Sequence, residues 1–185
     1  MRTLRLSMAG TVTLALVGGL AGVAVAEDEG SGTSGRPHPV GGTLRPVDTF
    51  QGATLIVEEG RYLERGYGTY DTIEMDDARL SGTLWNVWNI DSIKGREYGS
   101  DGEIFAGTIE LVNEEGSWAG TMRGYASMDP KTYQLGMELT GTGAHDGYSA
   151  LLYATRPETG VWDIKGFVFP GVLPEYPDPV EVPEQ

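Results

Sequence analysis

There is no cysteine among the 185 residues. Thiol catalysis, disulfide scaffolds and cysteine-ligated zinc are excluded with it, and the fold has to hold by core packing and hydrogen bonds alone. Histidine is nearly missing as well. His38 and His145 are the only two, too few for a multi-histidine metal site within one chain, so no metal is expected. Positive charge is scarce: 13 Lys and Arg stand against 27 Asp and Glu, for a formal net charge of −14. Phosphate binding needs clustered basic side chains, so nucleic acid and anionic membranes are not expected partners. The acidity reads as solvation rather than as a substrate preference. P-loop, G-x-S-x-G and H-E-x-x-H patterns are absent, and the one G-x-G-x-x-G spacing, Gly30 to Gly35, falls in a Gly/Ser-rich stretch rather than between a strand and a helix and is no dinucleotide fingerprint, so no cofactor is expected and no reaction is identified. No stretch keeps a 3.6-residue period, and beyond the N-terminal region no apolar run is long enough to span a membrane.

The N-terminal region itself is distinctive. Arg2 and Arg5 precede an uncharged, apolar and small stretch from Met8 to Val25, which ends in Ala24-Val25-Ala26 and is cut off by Glu27-Asp28-Glu29. This order is that of a cleavable signal peptide over residues 1–26. Its length approaches the roughly 20 apolar residues of a membrane anchor, but Gly10, Gly18, Gly19 and Gly22 interrupt it. The expectation is therefore a secreted, extracellular protein. Residues 27–42, rich in Gly, Ser and acidic residues, are expected to form a flexible linker. Residues 173–185 form a proline-rich tail. One domain remains between them, residues 43–172.

That domain is written in short runs of β-branched and aromatic residues, separated by Gly, Asp and Asn turns. Strands are expected near 43–50, 53–58, 61–75, 79–90, 104–113, 117–126, 133–142, 148–155 and 161–169. Short connections imply antiparallel hairpins; only Asp91 to Glu103 reads as a longer loop. The fold class is all-β: a single antiparallel β-barrel of about eight strands, with a β-sandwich as the alternative. The recurring x-Gly-Thr pattern favours the barrel. Gly82, Gly107, Gly120, Gly141 and, by position, Gly166 each alternate onto the more apolar face of their strand. Glycine weakens a strand, so its repeated use inside calls for sharp coiling or close packing across a narrow lumen; in a sandwich the same glycines would mark bulges.

The run Met75-Asp76-Asp77-Ala78-Arg79-Leu80-Ser81-Gly82-Thr83 resembles the S-D-P-R-V-S-G-T strand start of uncharacterised secreted actinobacterial proteins. Ala78 stands where that family has proline. Gly116 to Thr121, Leu139 to Tyr148 and Gly166 to Gly171 are similar to the same family, and the likeness covers most of residues 60–172. The resemblance implies a calycin-like or allene-oxide-cyclase-like β-barrel, related in shape to cyclases and dirigent proteins, and it implies no activity.

Carrying the alternation into strand 61–75, with Gly66 and Gly68 inward, brings Glu64, Tyr70 and Glu74 inside. Asn86 joins them from the next strand, against Trp88 and Trp118. Apolar walls with a few polar groups make a ligand site, and a desolvated carboxyl there would have a raised pKa fit for acid–base work. A single bulge inverts this assignment; Glu64 and Glu74 are then solvated, and Arg65 and Asp71 take their place. The acidic run Asp71, Glu74, Asp76 and Asp77 lacks calcium-loop spacing and reads as an acidic turn. His145 lies in a hairpin turn. Trp88, Trp118 and Trp162 fall inside, and Trp85 outside. Three functional expectations follow: a binder of a small apolar molecule in the barrel interior, a cofactor-free isomerase or cyclase, or a structural or interaction protein with a filled core.

Overall fold

A computed structural model describes residues 36–58, 61–93, 102–128, 131–157 and 160–173. The expected signal peptide, most of the linker and nearly all of the tail lie outside these residues.

Nine antiparallel strands form one sheet: β1 His38–Gln51, β2 Thr54–Glu58, β3 Arg61–Met75, β4 Gly82–Ile93, β5 Gly102–Val112, β6 Gly116–Met128, β7 Lys131–Gly143, β8 Tyr148–Pro157 and β9 Trp162–Pro170. Each strand from β3 to β9 pairs with its neighbour in sequence, and β1 pairs with both β9 and β3. The ring therefore closes as a barrel through β1 and β3–β9. β2 runs on from β1 along the first half of β3, from Thr54↔Arg65 to Glu58↔Arg61. The barrel begins earlier than its composition suggests, because His38 to Leu44 pair with Val168 to Trp162 of β9. Pro39 is tolerated there because proline near a strand start forfeits only one donor. The expected linker thus ends before His38, not at residue 42.

Inward and outward residues alternate as expected on five strands. Leu84, Phe105, Ile109, Leu111, Trp118, Met122, Leu135, Met137, Leu139, Ile164 and Val168 are all buried in one core. The glycines among them serve the coiling. A Cβ added at Gly120 would overlap the Glu138 carbonyl oxygen of the adjacent strand, and one at Gly166 would overlap that of Leu151. The close approach is to the neighbouring backbone rather than across the lumen. It lets strongly coiled strands close a ring this small.

One end of the barrel is capped. A 3₁₀ turn, Ala78–Leu80, follows β3, with the Asp77 side chain accepting from the Arg79 backbone N–H. Leu80 plugs the core and is fully buried. Trp118 Nε1 donates to the Arg79 carbonyl at 2.7 Å. Asn113 Nδ2 donates to the carbonyls of Arg79 and Ser81. Its Oδ1 accepts from the backbone N–H groups of Glu115 and Gly116 and lies 3.1 Å from His145 Nε2. The imidazole is buried and stacked on Trp118, 5.3 Å between centroids. His145 is thus a structural member of this cap.

Candidate functional site

The opposite, far end of the barrel is where polar groups enter the interior, and a bulge in β3 decides which ones. The β3–β4 register shifts between Arg65 and Tyr67. Gly66 sits there at φ 73°, a left-handed conformation that glycine adopts at little cost. Side chains hold the bulge on both sides: Gln51 Nε2 donates to the Gly66 carbonyl at 2.7 Å, and the Gly66 N–H donates to Asn89 Oδ1 at 3.2 Å.

Directly paired residues share a face, so the register assigns the side chains. Before the bulge, Glu64 pairs with the inward Ile90; after it, Tyr67, Thr69, Asp71 and Ile73 pair with Trp88, Asn86, Leu84 and Gly82. Glu64 is therefore on the inner face, as the alternation from Gly66 predicts. Tyr70 and Glu74 are not: they point outward, because one extra residue at Gly66 reverses every later position. Asp71 takes the interior place, while Arg65, paired with Asn89, stays outside and binds Asp91 at 2.6 Å. Tyr70 instead packs on the exterior Trp85 at 5.2 Å, with Phe50 on the same indole. Trp118 is inside, but in the cap. Of the six expected site residues, Asn86 and Trp88 are neighbours in the lumen, Glu64 is at the far end, and the other three are elsewhere.

Asp71 is 6% exposed, and its carboxyl is pushed up to about 6, chiefly by burial. Three interactions work against that shift: a hydrogen bond from Asn86, the charge of Arg156 and the Val47 backbone N–H. Asn86 Nδ2 donates to Asp71 Oδ2 at 2.6 Å. Thr69 Oγ1 accepts from Trp88 Nε1 at 3.1 Å. Asn86 Oδ1, by contrast, is buried without a hydrogen-bond partner. The rest of the acidic run is dispersed: Asp76 accepts from the Gly41 N–H, and Asp77 pairs with Arg79. Among the described residues no group of three His, Asp or Glu side chains is placed to hold a metal ion.

Beside this network the lumen holds a cavity of about 200 Å³. Its walls are the rings of Tyr67, Trp88, Phe105, Tyr133 and Trp162, with Ile90. Trp88 meets Phe105 edge-on at 5.4 Å, and Tyr133 meets Trp162 at 6.0 Å. Two charged residues reach the same space, Glu103 and Arg156. Burial raises the Glu103 pKa, and the nearby Glu64 charge adds to the rise. Arg156 lies over the Tyr133 and Trp162 rings at 4.6 and 4.8 Å from their centroids, and its Nε is buried without a partner. Glu103 and Arg156 do not stand out as site residues in the sequence. A signal for Arg156 is present nonetheless: it ends the apolar alternation Ala150, Leu152, Ala154 on the inner face of β8.

A wider depression of about 980 Å³ lies on the outer face over Gly136, between Ile104, Tyr125 and Tyr153. Its Tyr153 hydroxyl already donates to Gln134. The lumen cavity is the better candidate because the two buried side-chain polar atoms without a partner among the described residues belong to Asn86 beside it and Arg156 within it.

Comparison with known proteins finds no matching family model, no matching curated protein and no matching solved structure.

Proposed function

We propose that this is an exported protein whose barrel holds one small, largely apolar molecule at the far end of its lumen. The observation that carries the reading is the unfilled, aromatic-walled cavity of about 200 Å³ in a barrel whose other end is packed solid. At ~30 Å³ per water, this is room for roughly six or seven waters. A single six-membered ring with a short substituent matches that volume. Apolar walls with few polar groups are the usual make-up of a ligand site. Export rests on the N-terminal pattern of residues 1–26. The resemblance to secreted actinobacterial proteins with an allene-oxide-cyclase-like or calycin-like barrel agrees with both and carries no activity.

The test is native mass spectrometry of the protein purified from its own host, followed by a fragment screen read by the fluorescence of Trp88 and Trp162. A bound species near the size of a substituted benzene is the expected result. A protein that carries nothing and responds to no fragment is a structural protein, and the reading is then wrong.

A second reading, a cofactor-free isomerase or cyclase, is favoured by one feature. The Asp71 carboxyl, at a pKa of about 6, is matched to proton transfer near neutral pH. For an enzyme, Asp71→Asn abolishes turnover of the identified ligand; for a binder, affinity survives and there is no turnover to lose.

A further inference from the structure

We infer that the molecule held in the lumen carries a single anionic group, a carboxylate on a small planar ring, and that Arg156 receives it. This rests on reading the cavity as a binding site.

Among the described residues Arg156 has no carboxylate in ion-pair contact, although its charge acts on Asp71. Other arginines are paired: Arg61 and Arg65 with Asp91 on the outside, and Arg79 with Asp77 at the cap. No described carboxylate lies within 4.0 Å of the Arg156 guanidinium. Arginine offers five donors and no acceptor, and buried donors in native proteins are nearly always satisfied. Here Nε is buried without a hydrogen-bond partner, and the guanidinium borders the cavity. Its position is already ordered: Tyr133 and Trp162 lie against the guanidinium plane. A planar, preordered fork of N–H groups matches a carboxylate in two parallel hydrogen bonds, and little side-chain freedom remains to be lost on binding. The ring of the ligand would stack in the slot between Trp88, Phe105 and Tyr133.

The surrounding charges sharpen the class. Glu103 lines the same cavity, Glu64 acts on Glu103, and Asp71 faces Arg156 from β3. These carboxyl groups repel any anion, and a dianion such as a phosphate monoester about twice as strongly as a monoanion, for which the hydrogen bonds of a single arginine suffice. A cationic ligand would meet the like charge of Arg156 in the same small space, and the Tyr133 and Trp162 faces are already covered by the guanidinium. A monoanion with an otherwise apolar body remains.

The test uses the whole chain and two matched probe pairs, benzoate with benzamide and 4-hydroxybenzoate with 4-hydroxybenzamide. Binding is read by saturation-transfer NMR and tryptophan fluorescence near neutral pH. Each carboxylate is expected to bind at least about tenfold more tightly than its amide, and Arg156→Gln should bring the two to equal affinity while amide binding persists. Should that variant fail to fold, the Arg156 Nε–H resonance of the wild-type protein gives the same information, by moving with benzoate and not with benzamide. Equal affinity of the wild-type protein for both members of each pair overturns the anion inference and leaves the cavity reading standing. Binding of neither member at millimolar concentration overturns both.

Discussion

Asp71→Asn is the substitution whose outcome the structure states most sharply. Asp71 is an ordinary carboxyl in the unfolded chain, with a reference pKa of 3.8, and stands at about 6 in the folded barrel. The folded state therefore binds its proton more tightly than the unfolded state does. Between those two values the unfolded chain holds fewer protons, so stability falls as pH rises through the window. Below about pH 4 there is no penalty; above about pH 6 it is complete. At about 1.4 kcal/mol per pKa unit the full penalty is about 3 kcal/mol. Asparagine is nearly isosteric and carries no charge. It can keep an acceptor toward Asn86 or Val47 but not both with carboxylate strength, a loss of about 1 kcal/mol. The variant should thus gain about 2 kcal/mol near pH 7.5 and gain nothing, or lose slightly, near pH 4. For a domain of this size the gain corresponds to a rise in Tm of roughly 6–8 °C. Thermal unfolding of both proteins, followed by far-UV circular dichroism across that pH range, gives the difference directly. Other acidic groups titrate in both proteins and cancel. A Tm difference that does not change with pH, or that favours the variant more at pH 4, refutes the assignment of Asp71 as a penalised interior carboxylate.

Three other outcomes are expected. Gly120→Ala should destabilise the barrel by about 3 kcal/mol or more in urea unfolding, because its Cβ overlaps the Glu138 carbonyl; Gly136→Ala, whose Cβ has only the Arg123 carbonyl oxygen at 3.8 Å near it, should stay within about 1 kcal/mol of wild type. Asn113→Ala should cost about 3–5 kcal/mol, since it strips partners from two carbonyls, two backbone N–H groups and His145 at once; a loss under 1 kcal/mol in the same assay contradicts the role given to the cap. Tyr70→Phe and Glu74→Gln should leave fragment affinity unchanged, whereas Trp88→Ala should weaken it about tenfold or more, because only Trp88 lines the lumen.

How far the chain could be read as letters varies along it. The order of the strands and the inner faces of β4, β5, β6, β7 and β9 follow from alternation alone, because a period of two survives as long as no residue is inserted. Gly82, Gly107, Gly120, Gly141 and Gly166 then reveal the barrel, since a coiled strand has no room for a Cβ against its neighbour. In β3 the period breaks at Gly66. Nothing local distinguishes a bulge glycine from one that simply faces inward, so the letters leave two assignments open, Tyr70 and Glu74 inside or Arg65 and Asp71 inside. The β4 register and the side chains of Gln51 and Asn89 decide the matter.

The lack of thiol chemistry and the all-β class are properties of composition and short-range order, and the amino-acid sequence determines them by itself; the pattern of residues 1–26 on which the proposed export rests is of the same kind. Which charges enter the lumen is a tertiary matter. Asp71 is costly only because the barrel wall shuts it away from water, a cost the Asn86 hydrogen bond partly offsets. Arg156 acquires meaning only because β7 and β9 bring Tyr133 and Trp162 against it while no described carboxylate forms an ion pair with it. Both depend on partners far away in sequence, set by a register that one glycine shifts.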